Sequence, residues 1–104
     1  MERFYLALTT LKNREALRLA EHLVSEKLAT CANMVHRVES TCRWKGKIER
    51  ARETMMLIKT SEKKVDRLIH RIKELHPYEL PEILALRIDR GLGEYLEWVD
   101  KSLR

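Results

Sequence analysis

The sequence predicts an α+β domain of the ferredoxin-like type, with the element order β-α-β-β-α-β and one more helix at the end of the chain. Two amphipathic helical patterns each follow a strand-like segment, and a long hairpin pattern lies between them. With 104 residues and no linker, repeat or low-complexity tract, the chain is expected to form a single domain over residues 1–104. Two helices would then cover one face of a four-stranded antiparallel sheet.

The first strand and the first helix follow from simple patterns. Residues Phe4 to Leu8 form a short apolar run rich in aromatic residues, which is typical of a buried strand. Asn13 is a plausible helix cap, and the helix is expected from about residue 14 to 29. Its apolar face would consist of residues at helical spacing, namely Ala16, Leu17, Ala20, Leu23, Val24 and Leu28.

A long hairpin is predicted between Cys31 and Thr60, because this stretch contains few turn signals. Its only glycine is Gly46, and the segment Trp44-Lys45-Gly46-Lys47 indicates a tight turn. Alternation is lost around residues 36 to 40, which predicts a β-bulge or a bend. The run from Thr54 to Ile58 is apolar enough to be buried on both faces.

The second half repeats the pattern of helix and strand. Ser61 is expected to cap a second helix, with Glu62 in its first turn. The apolar stripe of that helix is Val65, Leu68, Ile69, Ile72 and Leu75. A loop with both prolines follows, then a strand from Ile83 to Ile88, a turn at Arg90 to Gly93, and a last amphipathic helix.

The loop Leu75-His76-Pro77-Tyr78-Glu79-Leu80-Pro81-Glu82 is the first place to look for function. A residue before proline avoids the helical region, so His76 should be extended just beyond the helix end. A rigid loop that carries His, Tyr and Glu is a candidate binding loop. The alternative is a structural connector whose His and Tyr only satisfy local hydrogen bonds.

The hairpin is too long for a compact single domain. A strand of about 13 residues spans roughly 40 Å, whereas a domain of about 100 residues has a radius of gyration of only about 13 Å. The hairpin should therefore extend beyond its own core, and its edges and Trp44 need cover from another chain. The sequence predicts an oligomer.

Composition and charge exclude several classes of protein. The net charge is +5, but acidic and basic residues alternate, as in Glu49 to Glu53, so no dedicated nucleic-acid surface is expected. No apolar run is long enough to span a membrane, and the N-terminus leads directly into a strand without a signal peptide. Cys31 and Cys42 are interpreted as reduced thiols of a cytoplasmic protein.

Residue spacing gives little direct evidence for chemistry. The four histidines show no metal-ligand spacing, and no nucleophile motif or phosphate-binding loop is present, so we expect no enzyme activity. A site between subunits could still combine His76 with Glu79 or Glu82. Lys59 closes a buried strand and would either line a pocket or face solvent.

Several segments together resemble the CutA family of divalent-cation tolerance proteins, in the order and spacing of that family. They are residues 26–34 (EKLATCANM), 44–48 (WKGKI), 59–60 (KT), 75–82 (LHPYELPE) and 95–98 (YLEW). The resemblance covers nearly the whole chain. It implies a cytoplasmic homotrimer built like the PII signalling proteins, associated with tolerance of copper and other divalent metals and with no assigned reaction.

The resemblance also bears on single positions. Some members carry a cysteine at the end of the first strand and a pair of histidines before the Pro-Tyr, where this chain has Leu8 and Leu75 and keeps only His76. The expected functional surface is an intersubunit cleft of Trp44, Lys59, His76, Tyr78 and Glu82.

In that cleft His76 would be a metal ligand or hydrogen-bond partner, Glu82 its carboxylate partner and Lys59 an anion contact. No cofactor is required, and a divalent metal ion such as copper is a candidate ligand. The alternatives are a PII-like sensor that binds an anionic small molecule between subunits, and a scaffold that docks other proteins.

Overall fold

The computed structural model describes residues 3–104. The elements follow the predicted order: β1 (Phe4–Leu11), α1 (Asn13–Ser25), β2 (Cys31–Trp44), β3 (Lys47–Ser61), α2 (Glu62–Leu75), β4 (Ile83–Ile88) and α3 (Gly93–Ser102). The α+β, ferredoxin-like prediction is confirmed, including the extra C-terminal helix. No helix in residues 3–104 combines the length and the apolar character needed to cross a membrane.

The four strands form one antiparallel sheet in the order β2-β3-β1-β4. Helices α1 and α2 pack on one side, which we call the inner face. Its central sheet residues have no exposed surface and lie in one core with apolar residues of both helices. The principal core side chains are Ala7, Leu11, Leu19, Leu23, Met56, Ile58, Leu68 and Ile72.

The opposite side of the sheet, the outer face, has no cover within the chain. Because paired residues of neighbouring strands share a face, the register places on it Phe4, Leu6, Leu8, Val35, Met55, Leu57, Leu84 and Leu86. Leu84 and Leu86 are each 51% exposed and Val35 is 42% exposed. The predicted burial of the run from Thr54 to Ile58 on both faces is therefore wrong for a single chain, since only its inner-face residues are fully buried.

The hairpin of β2 and β3 extends beyond the helices as expected. Its strands contain 14 and 15 residues, and the molecule measures 44 × 25 × 22 Å. The turn contains Lys45 and Gly46 with φ of 50° and 79°, the positive values that a two-residue type I′ hairpin turn requires. Glycine adopts this conformation without steric cost.

A β-bulge interrupts the pairing between Val35 and Val38, inside the predicted interval. His36 and Arg37 together oppose Thr54, and Arg37 has a φ of 60°. The additional residue shifts the side-chain alternation of β2 by one position. The distal part of the hairpin therefore turns Val38 and the even-numbered residues after it toward the same side as Glu53.

Two details of the helix ends differ from expectation. Lys12, not Asn13, precedes α1 in an extended conformation, and the amide oxygen of Asn13 accepts a hydrogen bond from Thr54 Oγ1 (3.4 Å). The helix ends at Ser25 rather than near residue 29, because Lys27 is left-handed and Leu28 N–H bonds back to Leu23 O. Ser61 precedes α2 as predicted, but its side chain makes no capping hydrogen bond.

Candidate functional site

A groove of about 700 Å³ lies between the hairpin and the segment from His76 to Glu82, which we call the proline loop. The hairpin supplies one wall because the bulge turns its distal residues toward this side. The proline loop supplies the other wall. The lining side chains come from β1, both hairpin strands and the loop: Thr10, Ser40, Cys42, Arg43, Trp44, Glu49, Ala51, Glu53, Tyr78, Glu79, Leu80 and Glu82.

His76 fixes the start of the proline loop. Its backbone is extended (φ −76°, ψ 134°), as expected for a residue before proline. The side chain is only 7% exposed, and both ring nitrogens have partners. Nε2 lies 3.0 Å from the carbonyl oxygen of Thr10, and Nδ1 accepts a 3.2 Å hydrogen bond from the backbone N–H of Tyr78. This pattern requires the neutral tautomer with the proton on Nε2.

The surroundings of His76 favour that neutral form. Burial removes the ring from water and lowers its pKa below the usual value of 6.5, against smaller opposing effects of the Thr10 carbonyl and the Glu53 and Glu15 carboxylates. His76 therefore acts in the structure as a hydrogen-bond partner that joins the end of β1 to the proline loop.

Tyr78 ties the proline loop to the hairpin. Its hydroxyl donates a 2.5 Å hydrogen bond to Glu53 Oε2, and its ring meets the ring of His76 edge-on at 4.7 Å. Burial, followed by the hydrogen bond to Glu53, raises the pKa of Tyr78. Glu53 is only 8% exposed, so the phenol provides a partner for a buried carboxylate.

Two further contacts connect the proline loop to β1 and to the hairpin turn. Glu82 Oε1 accepts a 3.3 Å hydrogen bond from Thr10 Oγ1. Lys45 Nζ lies 3.7 Å from Glu79 Oε1 and 5.4 Å from the ring centroid of Trp44. The loop thus contacts the body of the sheet, the middle of the hairpin and the hairpin turn.

Most of the predicted cleft residues lie together. Trp44, Tyr78 and Glu82 line the groove. His76 does not line it but accepts a hydrogen bond from the backbone N–H of Tyr78. Lys59 does not line the groove of the single chain. It lies six positions beyond Glu53 along the same side of β3, a distance of about 20 Å, and donates a hydrogen bond to Asn33 Oδ1.

The residues present do not form a closed metal site in one chain. Among residues 3–104 no three His, Cys, Asp or Glu side chains converge in a way that could hold a metal ion. His76 would have to give up one of its two hydrogen bonds to bind a metal. Leu75 packs against the core, and Leu8 lies half-buried on the outer face. The metal-ligand role of His76 and Glu82 stays a prediction.

Sequence reasoning missed three groups of the site. The Thr10 carbonyl oxygen accepts a hydrogen bond from His76, and the Thr10 hydroxyl donates one to Glu82. Glu53 accepts a hydrogen bond from the Tyr78 hydroxyl, and Cys42 lies exposed in the groove. Strand alternation beyond the bulge could have placed Cys42 and Glu53 on one side, if the length of the bulge had been known. Nothing in the sequence pointed to Thr10.

Comparison with protein families gives a match over almost the whole chain. The model of the CutA1 divalent ion tolerance protein family matches residues 5–102. Protein CutA 1, chloroplastic, of Oryza sativa is 44% identical over 96 residues, which are 91% of this chain and 54% of that protein. Divalent-cation tolerance protein CutA of Thermus thermophilus is 41% identical over 96 residues, 91% of this chain and 93% of that protein. The chain thus spans about half the length of the plant relative.

Solved structures agree with these relatives. CutA of Xylella fastidiosa superposes with a TM-score of 0.94 at 39% identity, covering 97% of this chain and 98% of that one. The periplasmic divalent cation tolerance protein CutA of Archaeoglobus fulgidus gives 0.90 at 38% identity and covers all of both chains. The PII-like protein CutA of Nostoc gives 0.90 at 36% identity, covering 96% of this chain and 97% of that one.

Proposed function

This chain belongs to the CutA1 divalent ion tolerance protein family, and we propose that it is a non-enzymatic homotrimer of the divalent-metal response. The resemblance noted in the sequence is thereby confirmed at the level of the family. The proposed functional surface is the groove between the hairpin and the proline loop.

The open outer face is the observation that carries the proposal. Eight apolar side chains from four strands form a continuous surface there, and two leucines of β4 remain half exposed. Contiguous apolar surface of this kind marks an interface in a water-exposed protein. Packing the same face of several copies together would bury it.

The edges of the sheet favour a cyclic assembly. The strands β2 and β4 are the two edges, and they lie on opposite sides of the sheet. Pairing the β2 edge of one copy with the β4 edge of the next is a head-to-tail contact, which forms a ring when the rotation between copies closes. We propose that three copies close this ring around their outer faces.

The oligomeric state tests the assembly. Wild type should elute as a trimer without detectable monomer at micromolar concentration in size-exclusion chromatography with light scattering. Leu86→Glu introduces a charge on the outer face at the β4 edge and should shift the protein to monomer. Leu17→Glu is the matched control, because Leu17 is 48% exposed but lies on α1, away from that face; it should remain trimeric.

A monomeric wild type would contradict the proposal, and so would a Leu86→Glu variant that stays trimeric. Circular dichroism should show unchanged secondary structure in both variants, because both side chains are about half exposed in the single chain.

We further propose that the metal-dependent role involves His76 and Glu82, with copper as the ion to test first. Imidazole and carboxylate are suitable ligands for divalent ions, and contributions from neighbouring copies would be needed to complete a site. Binding would compete with the hydrogen bonds that His76 makes to Thr10 and Tyr78.

Calorimetric titration with Cu²⁺ tests this role. His76→Ala should weaken binding about tenfold or more, the equivalent of about 1.4 kcal/mol. Glu82→Gln keeps a hydrogen-bond acceptor for Thr10 but removes the charge, so it should weaken binding without disturbing the loop. His70→Ala removes an exposed imidazole from α2 and serves as control. Equal affinities in all four proteins would remove His76 and Glu82 from the metal site.

A second candidate is a PII-like sensor of an anionic small molecule. Lys59 favours it, because its ammonium group lies with Asn33 on a largely apolar face that the proposed trimer would enclose. Thermal-shift screening with nucleotides and carboxylates would separate this function from metal binding. If an anion raises the melting temperature of wild type but not of Lys59→Met, the anion binds at the proposed subunit interface.

We propose a cytoplasmic location, in line with the two free cysteines Cys31 and Cys42. The relatives from Oryza sativa and Archaeoglobus fulgidus are described as chloroplastic and periplasmic, respectively. Cell fractionation would test the proposal, and recovery in a periplasmic or organelle fraction would contradict it.

A further inference from the structure

Three residues other than glycine have a left-handed backbone in residues 3–104: Lys27 (φ 59°), Arg37 (φ 60°) and Lys45 (φ 50°). Such a conformation is costly for a residue with a long side chain. Each of the three positions therefore needs a compensating interaction.

Two of the three are explained by contacts within the chain. Lys27 ends the turn after α1, where a left-handed residue is normal, and its Nζ donates a 2.9 Å hydrogen bond to Arg104 O. Lys45 forms the hairpin turn together with Gly46, and this type of turn requires positive φ at both central residues.

Arg37 has no such explanation. It is exposed at the bulge, and its guanidinium group makes no hydrogen bond or ion pair with any residue from 3 to 104. Bulges frequently redirect a side chain next to a functional site. A strained position that holds an unpaired cation suggests that the cation has a partner outside the chain.

Arg37 lines a pocket of about 610 Å³ together with His36, Arg52 and Thr54, and also with Asn13 and Glu53. Arg52 pairs with Glu39 at 3.3 Å, but both side chains are more than 70% exposed, so this ion pair contributes little and can be exchanged. The Glu53 carboxylate is already bonded to the Tyr78 hydroxyl. The one acidic residue that lines this pocket is therefore engaged on the groove side, and the other lining residues supply no carboxylate for Arg37 or Arg52.

His36 adds a third polar group. Thr54 Oγ1 donates to Asn13 Oδ1, so His36 Nδ1, 3.4 Å from the same hydroxyl, acts as the donor of that contact. The other ring nitrogen makes no hydrogen bond within the described part of the chain.

We infer that the bulge pocket, formed by His36, Arg37 and Arg52, binds a phosphate group. Guanidinium groups match phosphate oxygens in geometry and charge, and two arginines, Arg37 and Arg52, line this pocket. The pocket shares Glu53 with the groove but is not lined by His76, Glu82 or Lys59, so the inference does not depend on the proposed metal-related function. The phosphate is either free orthophosphate or the head of a small phosphate ester.

Calorimetry with orthophosphate and with glycerol 3-phosphate tests the site in the 104-residue chain. Arg37→Gly should weaken binding about tenfold or more, since it removes a charge-assisted hydrogen bond. The same change should not lower the melting temperature, because glycine adopts positive φ without steric cost. Lost affinity with unreduced stability distinguishes a ligand contact from a structural role.

Lys45→Gly is the matched control, because it removes the same charge and the same backbone strain at the other end of the hairpin. It should keep the wild-type affinity, whereas Arg52→Gln should lose affinity as Arg37→Gly does. Tighter binding of one of the two probes would identify the source of the phosphate group. The inference is overturned if wild type binds neither probe, if Arg37→Gly binds normally, or if Arg37→Gly and Lys45→Gly lose affinity equally.

Discussion

The two faces of the sheet are both apolar in sequence, yet the chain covers only one of them. On the inner face Ala7, Met56 and Ile58 have no exposed surface beneath α1 and α2. On the outer face Leu84 and Leu86 remain 51% exposed. The two faces therefore differ in how far the chain buries them and not in their apolar character.

The proline loop covers one part of the outer face, near Glu53. Tyr78 approaches Glu53, which belongs to the same alternation of β3 as Met55 and Leu57, and leaves Glu53 only 8% exposed. The loop thus covers the sheet where the hairpin begins to extend beyond the core. Its hydrogen bonds through His76 hold this local cover in place.

The largest expected effect is a loss of stability, and it should differ between Leu57 on the outer face and Ile58 on the inner face. Ile58→Ala opens a cavity beneath both helices and should lower the free energy of unfolding by about 2–5 kcal/mol, at any protein concentration. Leu57→Ala truncates a half-buried side chain of the outer face. Its cost should be smaller in dilute protein and should rise with concentration, because assembly would bury the wild-type leucine. Urea unfolding at two protein concentrations measures both.

Equal losses in the two variants at both concentrations would contradict the distinction between the faces. Circular dichroism before unfolding should show the same secondary structure in both variants, because neither change touches the backbone pairing.

A smaller effect is the pH dependence of stability that His76 contributes at the start of the proline loop. Burial lowers the pKa of His76 in the folded chain, so the unfolded chain binds the proton more readily. The contribution of His76 to stability is complete above pH 6.5, the unperturbed value, and is lost as the pH falls from 6.5 toward the lowered pKa. Protonation also prevents Nδ1 from accepting the hydrogen bond of Tyr78 N–H.

Denaturation between pH 7.5 and about pH 5 in steps would measure this dependence. His76→Gln should flatten it, since its amide can still donate to Thr10 O but does not titrate. His70→Gln, on an exposed helix surface, should keep the dependence of wild type. A His76→Gln variant with the full wild-type dependence would exclude His76 as its source.

Much of the fold could be predicted from local patterns. The helical stripe from Val65 to Leu75, the turn at Gly46 and the strand from Ile83 to Ile88 were all found where expected, because each depends on neighbours within a few residues. The extent of α1 was overestimated, since Leu28 fits the helical spacing but belongs to the turn that follows.

The site was predictable only in part. His76 and Tyr78 were accessible because two prolines marked a rigid loop, and Trp44 because it flanks a turn. Their partners Thr10 and Glu53 lie 66 and 25 residues away along the chain. Lys59 lies on the same side of β3 as Glu53 but about 20 Å farther along the strand, so it does not line the groove of the single chain, and its place in an intersubunit cleft stays a prediction.

The sequence by itself determined the order of elements, the extended hairpin and the family resemblance, since these depend on periodicity, turn chemistry and short motifs. Only the tertiary structure decided which apolar face is covered, that both nitrogens of His76 are engaged, and that Arg37 has no partner within residues 3–104. The physical reason is that burial and hydrogen bonding arise from contacts between segments distant in the chain. A one-residue bulge reverses the direction of every later side chain in its strand, and no local pattern reveals its length.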